Sequence, residues 1–307
     1  MLEEARMHLV RSSLFVPGHK PEWVAKAQAA GPDELILDLE DAVPDDAKSA
    51  ARPLVRESVK ALHAAGQYCS VRINGYATGR TLDDLDGILC AELRSVMLPK
   101  VDSVADMQAL DAMLTQLERR HGVAHGTVNT TLLLETAGAM RNAYHIALSS
   151  PRVHQLVLAA GPGGDAARAV GYQWTKGGEE TLFLRSHAVL DARAAGIPYP
   201  MTSSWWDIRD LDGLRADAIR NRRLGMRGMC VMHPSHVPIV NEIFSPQADE
   251  VAHARGVLAA MAAAEEEGRA AVIYEGDMVD YAMVATAREL IALAESIEAA
   301  GGKPLNT

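Results

Sequence analysis

The chain has 307 residues, 48% of them hydrophobic and 23% charged, and a formal net charge of −10. That is apolar material for one large core or at most two smaller ones. The acidic balance argues against bulk nucleic-acid binding and leaves any anionic ligand dependent on a local basic pocket. No stretch approaches the roughly 18 uninterrupted apolar residues of a membrane span. The N-terminus, with Glu3 and Glu4 before Arg6, lacks a signal-peptide pattern, so a cytoplasmic location is expected. Cys69, Cys90 and Cys230 are far apart and form no Cys-x-x-Cys pair, so they read as core residues rather than a disulfide or zinc framework.

Short β-rich runs recur at 13–16, 35–38, 69–73, 95–98, 130–134, 155–158, 197–201 and 228–232. Alanine-rich segments with helical spacing lie between most of them, at 22–30, 47–65, 104–120, 181–195 and 213–224. Strand and helix in alternation imply parallel strands with crossover helices. Eight such units predict a (β/α)8 TIM barrel, an α/β fold, rather than a doubly wound sheet of five to seven strands. The expected barrel domain is 1–246. After Phe244-Ser-Pro246 the composition shifts to two mostly helical segments, 248–267 and 278–299, separated by a polar stretch at 268–277. This C-terminal helical extension, 247–307, is surplus to a barrel and could cover it or reach a neighbouring subunit.

Several strand runs end in polar or special residues, which a barrel gathers on its catalytic face. Leu35-Ile-Leu-Asp-Leu-Glu-Asp41 ends in three carboxylates, Asp38, Glu40 and Asp41. Such a cluster is tolerated where a cation, an arginine or a lysine compensates it. Arg72 lies in an otherwise apolar strand and must find a carboxylate or bind an anion. Paired with Glu40 or Asp41 it is structural; aimed at a bound carboxylate it is a clamp. Lys100, after Met-Leu-Pro, poses the same choice. Glu135 and Asp165 each place one carboxylate beyond neighbouring strands. Together they could share Mg²⁺, or serve as a salt-bridge partner and a helix cap. His233 and His236 lack a third zinc ligand of matching placement. A Ser-His-Asp order, a Gly-x-Ser-x-Gly elbow and a Walker loop are missing, and Gly161-Pro-Gly-Gly164 is too short and misplaced for a dinucleotide fingerprint, which lowers hydrolase and NAD readings.

Six pieces in order carry a resemblance: Arg11-Ser-Ser-Leu-Phe-Val-Pro-Gly18, Leu37-Asp-Leu-Glu-Asp-Ala-Val43 with Lys48 and Arg52 after it, Val71-Arg-Ile-Asn74, Leu98-Pro-Lys100, Leu134-Glu-Thr136 and Met232-His-Pro234. From about residue 11 to 290 the chain resembles the citrate lyase β-subunit and malyl-CoA lyase family of HpcH/HpaI-type aldolases. The resemblance implies an Mg²⁺-dependent carbon–carbon lyase that splits a 3-hydroxy-3-carboxyacyl thioester, such as malyl-CoA or citramalyl-CoA, into a 2-oxo acid and an acyl-CoA. It implies Glu135 and Asp165 as metal ligands and Arg72 as the contact to the oxo acid's carboxylate. Pro17, Gly18 and Lys100 join Arg72 as expected substrate contacts. Glu40 and Asp41 are expected to hold metal-bound waters and to fix Arg72 or Lys100. Gly276-Asp-Met-Val-Asp280 matches a family segment whose aspartate enters a neighbour's site as acid/base, making Asp280 the candidate and a homotrimer or hexamer the expected assembly.

Two features depart from the family pattern. Gly161-Pro-Gly-Gly-Asp165 carries one residue more than the usual Gly-x-x-Asp, and Ala166-Ala-Arg168 follows it. Within Ser203-Ser-Trp-Trp206, Trp205 or Trp206 either floors the acyl or CoA pocket or packs ordinarily. The rival readings are a citrate lyase β subunit acting on an acyl-carrier-protein thioester, a class II pyruvate aldolase, a dehydrating thioester hydrolase, and a non-catalytic binding protein on the same fold.

Overall fold

A computed structural model describes residues 10–299. The acidic N-terminal segment with Glu3, Glu4 and Arg6 lies outside them, as do the last residues of the C-terminal extension. The chain divides between Asn241 and Glu242 into two compact units.

The first unit is a closed barrel of eight parallel strands in sequence order. The strands are β1 (Ser12–Pro17), β2 (Glu34–Asp38), β3 (Tyr68–Arg72), β4 (Ser95–Leu98), β5 (Asn129–Leu134), β6 (Val153–Leu158), β7 (Met201–Thr202) and β8 (Gly228–Val231). Between them run α1 (Val24–Ala29), α2 (Lys48–Ala64), α3 (Thr81–Ile88), α4 (Val104–His121), α5 (Ala137–Leu148), α6 (Asp165–Val170), α7 (Leu182–Ala194) and α8 (Leu211–Leu224), and α9 (Val237–Phe244) follows β8. The expected barrel is therefore present, with helices crossing between parallel neighbours.

Strand β2 is buried at every position. Its unbroken apolar run is what a strand covered on both faces requires. Ile36, Met97, Leu133, Val157, Met201 and Cys230, each on a different strand, form the core within the barrel. Cys69, Cys90 and Cys230 are free and buried, as small core residues should be.

Strand β7 is shorter than the run at 197–201 suggests, beginning four residues later and ending one residue later. Pro198 and Pro200 supply no N–H to a ladder, so pairing starts only at Met201, opposite Val157 of β6 and Gly228 of β8.

In the second unit, α10 (Ala248–Glu266) and α11 (Tyr281–Ala299) flank a hairpin of β9 (Val272–Tyr274) and β10 (Asp277–Val279). The stretch at 268–277 is thus partly strand. Its two three-residue strands, turning at Glu275-Gly276, are too short for their period to stand out among polar neighbours. Ala254, Val257, Val279 and Ala287 make this unit's own small core. Among the described residues no helix is long and apolar enough to cross a membrane.

Candidate active site

Parallel pairing fixes the first half of the site. The β2–β3 register sets Asp38 opposite Arg72. The guanidinium grips Asp38 in a fork, Nε to Oδ1 at 2.7 Å and Nη2 to Oδ2 at 2.6 Å. Arg72 Nη1 lies 3.0 Å from Glu40 Oε2 and 3.9 Å from Asp41 Oδ2. Its Cζ sits 4.9 Å over the Phe15 ring, an added cation–π contact. Sequence reasoning paired Arg72 with Glu40 or Asp41; the bidentate partner is Asp38, with Glu40 on the remaining edge.

Burial alone would raise the Asp38 carboxyl. The Arg72 charge outweighs it, with N–H donors from Glu40 and Ala42, and holds Asp38 below the usual carboxylate range. Only Nε and one Nη2 N–H are committed, both to Asp38, so each terminal nitrogen keeps an N–H free for a further acceptor, while Glu40 Oε2 faces Nη1 as a charge without a hydrogen bond of its own.

The loop after β2 is held from beneath. Lys48 of α2 is buried and donates to the main-chain oxygens of Leu39 at 3.0 Å and Glu40 at 2.6 Å. Asn74 Nδ2 donates to the same Leu39 oxygen at 2.9 Å and to Asp84 Oδ2 at 2.7 Å, while Arg52 Nε reaches Asp84 Oδ1 at 2.8 Å. The motif residues Lys48, Arg52 and Asn74 therefore shape the loop rather than contact a ligand. Gly18 is also structural: its N–H donates to Asp38 O at 2.7 Å, and a Cβ there would fall 2.5 Å from that oxygen. No other residue allows the chain after β1 to come this close.

Lys100 ties the carboxylates together. It is one of two non-glycine residues with positive φ among the described residues, at 52°, a sparsely populated conformation. That geometry points its N–H at Glu135 Oε1, 2.8 Å away. Its ammonium lies 2.5 Å from Glu40 Oε1, 3.4 Å from Asp165 Oδ2 and 3.9 Å from Asp41 Oδ1. Burial works against the ammonium, but the bond to Glu40 and the surrounding carboxylates raise its pKa.

Glu135 follows β5 and precedes Thr136, whose hydroxyl caps α5 by accepting from Ala139 N at 2.9 Å. It is buried, and burial with the nearby Glu40 charge pushes its pKa up to about 7 against the Lys100 N–H. Burial likewise raises Glu40, with Asp41 adding to it and Arg72 and Lys100 opposing. Asp165 opens α6 and pairs closely with Arg168 as well as Lys100.

A cavity of about 790 Å³ opens over these groups. Pro17, Asp38, Asp41, Arg72, Glu135 and Asp165 lie on its lining, above Leu133, Val157 and Cys230 of the barrel interior. Glu40, Lys100 and Gly18 are absent from that lining. Asp38, which the sequence showed as part of the carboxylate cluster without a role of its own, and Trp206, one of the two tryptophans offered as a pocket floor, both lie on the lining. His233 also lines the cavity, its Nδ1 2.7 Å from Ser235 Oγ, while His236 is buried with Nε2 3.3 Å from Ile208 O. Asp280 lies in the second unit, at the start of α11, where its Oδ1 accepts from Ala282 N at 2.9 Å and Met283 N at 3.4 Å.

Glu135 and Asp165 fit a small hard dication. Both offer oxygen, and Glu135 is a buried carboxylate whose charge is incompletely compensated. Among the described residues no three or more of His, Cys, Asp or Glu form a ready cage. Mg²⁺ needs none, since it commonly takes one or two carboxylates and fills the rest with water and substrate oxygens.

A family model described as HpcH/HpaI aldolase/citrate lyase matches residues 11–234. The L-malyl-CoA/beta-methylmalyl-CoA lyase of Cereibacter sphaeroides is 35% identical over 309 residues, covering 94% of this chain and 96% of its own. The citrate lyase subunit beta-like protein of Deinococcus radiodurans is 35% identical, covering 92% of this chain and 96% of its own. Among solved structures, CitE of Mycobacterium tuberculosis in complex with magnesium, acetoacetate and coenzyme A matches with a TM-score of 0.73 at 29% identity, over 94% of this chain and 99% of that one. A citrate lyase of Burkholderia xenovorans matches with a TM-score of 0.80 at 22% identity, a likeness of fold. The chain belongs to the HpcH/HpaI aldolase/citrate lyase family and is, like its relatives, a carbon–carbon lyase.

Proposed function

We propose that the protein is a cytoplasmic, Mg²⁺-dependent lyase that interconverts a 3-hydroxy-3-carboxyacyl-CoA, malyl-CoA or citramalyl-CoA, with a 2-oxo acid and an acyl-CoA. The observation that carries the reading is Glu135, a buried carboxylate held near pKa 7 and joined to Asp165 through Lys100, facing the cavity that Arg72 also lines. Glu135 and Asp165 would hold the metal. Bound there, Mg²⁺ supplies Lewis-acid charge at the carbonyl of the 2-oxo acid.

The chain's own groups do the rest. Arg72, oriented by Asp38, offers N–H groups on its terminal nitrogens to the substrate carboxylate. Glu40 holds Arg72 and Lys100 in place, and Asp41, mostly exposed at the cavity edge, orders water. In the cleavage direction a base takes the proton from the C3 hydroxyl and the C2–C3 bond breaks. Its electron pair passes to the thioester as an enolate, and the α-carbon then takes up a proton. Asp280 of a neighbouring subunit is assigned this proton shuttle, in a trimer or hexamer. The hydrogen bonds it accepts at the head of α11 fix its carboxylate.

Purified protein with Mg²⁺ should condense acetyl-CoA with glyoxylate or pyruvate and cleave the products. Glu135→Ala should abolish both directions; unchanged turnover and Mg²⁺ binding in that variant would refute the metal assignment. Turnover of an acyl-carrier-protein thioester but no free CoA thioester would instead favour a citrate lyase β subunit. Mixing Asp280→Ala with Arg72→Ala subunits should restore activity in mixed oligomers, and failure to do so removes the cross-subunit role.

A further inference from the structure

In Gly161-Pro-Gly-Gly-Asp165, two of the glycines accommodate Trp206. A Cβ on Gly161 would lie 2.9 Å from Trp206 Nε1 and 3.5 Å from Cδ1; one on Gly164 would lie 3.6 Å from Cζ2. The indole therefore rests on the loop that delivers Asp165. Tyr172 OH fixes the loop by donating to Gly161 O at 2.9 Å.

The neighbouring Trp205 is the anchor. It is buried, meets Trp174 edge to face at 5.3 Å, and packs so tightly on α8 that a Cβ on Gly213 would fall 2.4 Å from its ring. With Trp205 turned inward, Trp206 is 49% exposed and forms part of the cavity lining with Ser203, Gly161 and Gly164. The half-exposed indole, set against Gly161 and Gly164, therefore borders the same cavity as Asp165, the residue that follows Gly164.

We propose that Trp206, seated on Gly161 and Gly164, is a specificity-determining residue: its indole walls the space beside Asp165 and restricts the 2-oxo acid to those with a small side chain. The inference rests on the lyase reading above and narrows its substrate class. A rigid apolar wall discriminates by steric exclusion, and each methylene it rejects changes selectivity by about 10-fold to 200-fold.

The test compares glyoxylate, pyruvate and 2-oxobutyrate as partners of acetyl-CoA in wild type, Trp206→Phe and Trp206→Ala. In parallel, Mg²⁺-dependent binding of pyruvate and 2-oxobutyrate is measured by calorimetry. The ratio of kcat/KM for 2-oxobutyrate to that for the best small acid should rise about tenfold or more in Trp206→Ala and by less in Trp206→Phe. The ratio of dissociation constants should move the same way. If Trp206→Ala lowers all three acids alike, or leaves both ratios unchanged, Trp206 is structural and the inference is overturned. If wild type condenses none of the acids, the lyase reading fails by itself, and the calorimetric ratio still decides whether Trp206 forms the wall.

Discussion

Replacing Glu135 by glutamine removes a titration while keeping the shape and the acceptor for the Lys100 N–H. In the metal-free fold Glu135 titrates near 7 instead of the usual 4.5, so its neutral form is favoured by folding. A raised pKa contributes stability that is complete below 4.5 and disappears as pH rises through 7. Between pH 5 and pH 8 the wild type should lose about 2.5 kcal/mol from this group alone, from 1.36 kcal/mol per pKa unit. Glu135→Gln loses none of it. Urea unfolding of both proteins in EDTA, at pH 5 and pH 8, should therefore show the gap between them shifting by about 2.5 kcal/mol in favour of the variant as pH rises. Mg²⁺ at a hundred times its dissociation constant should return about 2.7 kcal/mol to the wild type at pH 8 and little to the variant. A gap that stays constant across the two pH values would refute the argument that Glu135 is a strained, under-compensated carboxylate.

Because the ligand must be ionised, Mg²⁺ affinity measured by calorimetry should fall about tenfold from pH 8 to pH 6; a flat profile would count against Glu135 as a ligand. Asp38→Asn should misorient Arg72 and lower kcat/KM about a hundredfold with Mg²⁺ affinity unchanged, since small displacements of positioning groups are costly. Glu118→Ala, remote from the site, should cost about 3 kcal/mol in urea unfolding because it removes two charge-assisted bonds of the buried Arg152, at 2.6 and 2.7 Å, and leaves Asp111 as its one carboxylate partner. The Mg²⁺ dissociation constant should not move in that variant.

The barrel was legible because its strands announce themselves as short apolar runs at regular intervals and because those runs end in polar residues. The strand at 35–38 is a clear case: burial on both faces demands the continuous pattern that the sequence displays. Glu135 and Asp165 stood out for the same reason, as carboxylates just past such runs. The Asp38–Arg72 fork did not, because it depends on the register between two strands 34 residues apart in sequence. Lys100 could be read as a cation but not as a residue whose main chain serves Glu135, since its left-handed backbone leaves no mark on composition. Trp205 and Trp206 are identical letters in adjacent places, and only the loop's path sends one into the core and the other to the cavity. The β9–β10 hairpin was hidden by its brevity.

The clamp on the loop after β2 bears on any attempt to transplant this site. Leu39 offers one carbonyl oxygen to both Lys48 and Asn74, so α2, the β2 loop and the segment after β3 converge on a single backbone atom. Grafting Arg72, Glu135 and Asp165 onto another barrel would copy the visible groups and lose the joint that aims them. The smallest portable unit is the whole segment from β2 through β3, carried with its helix.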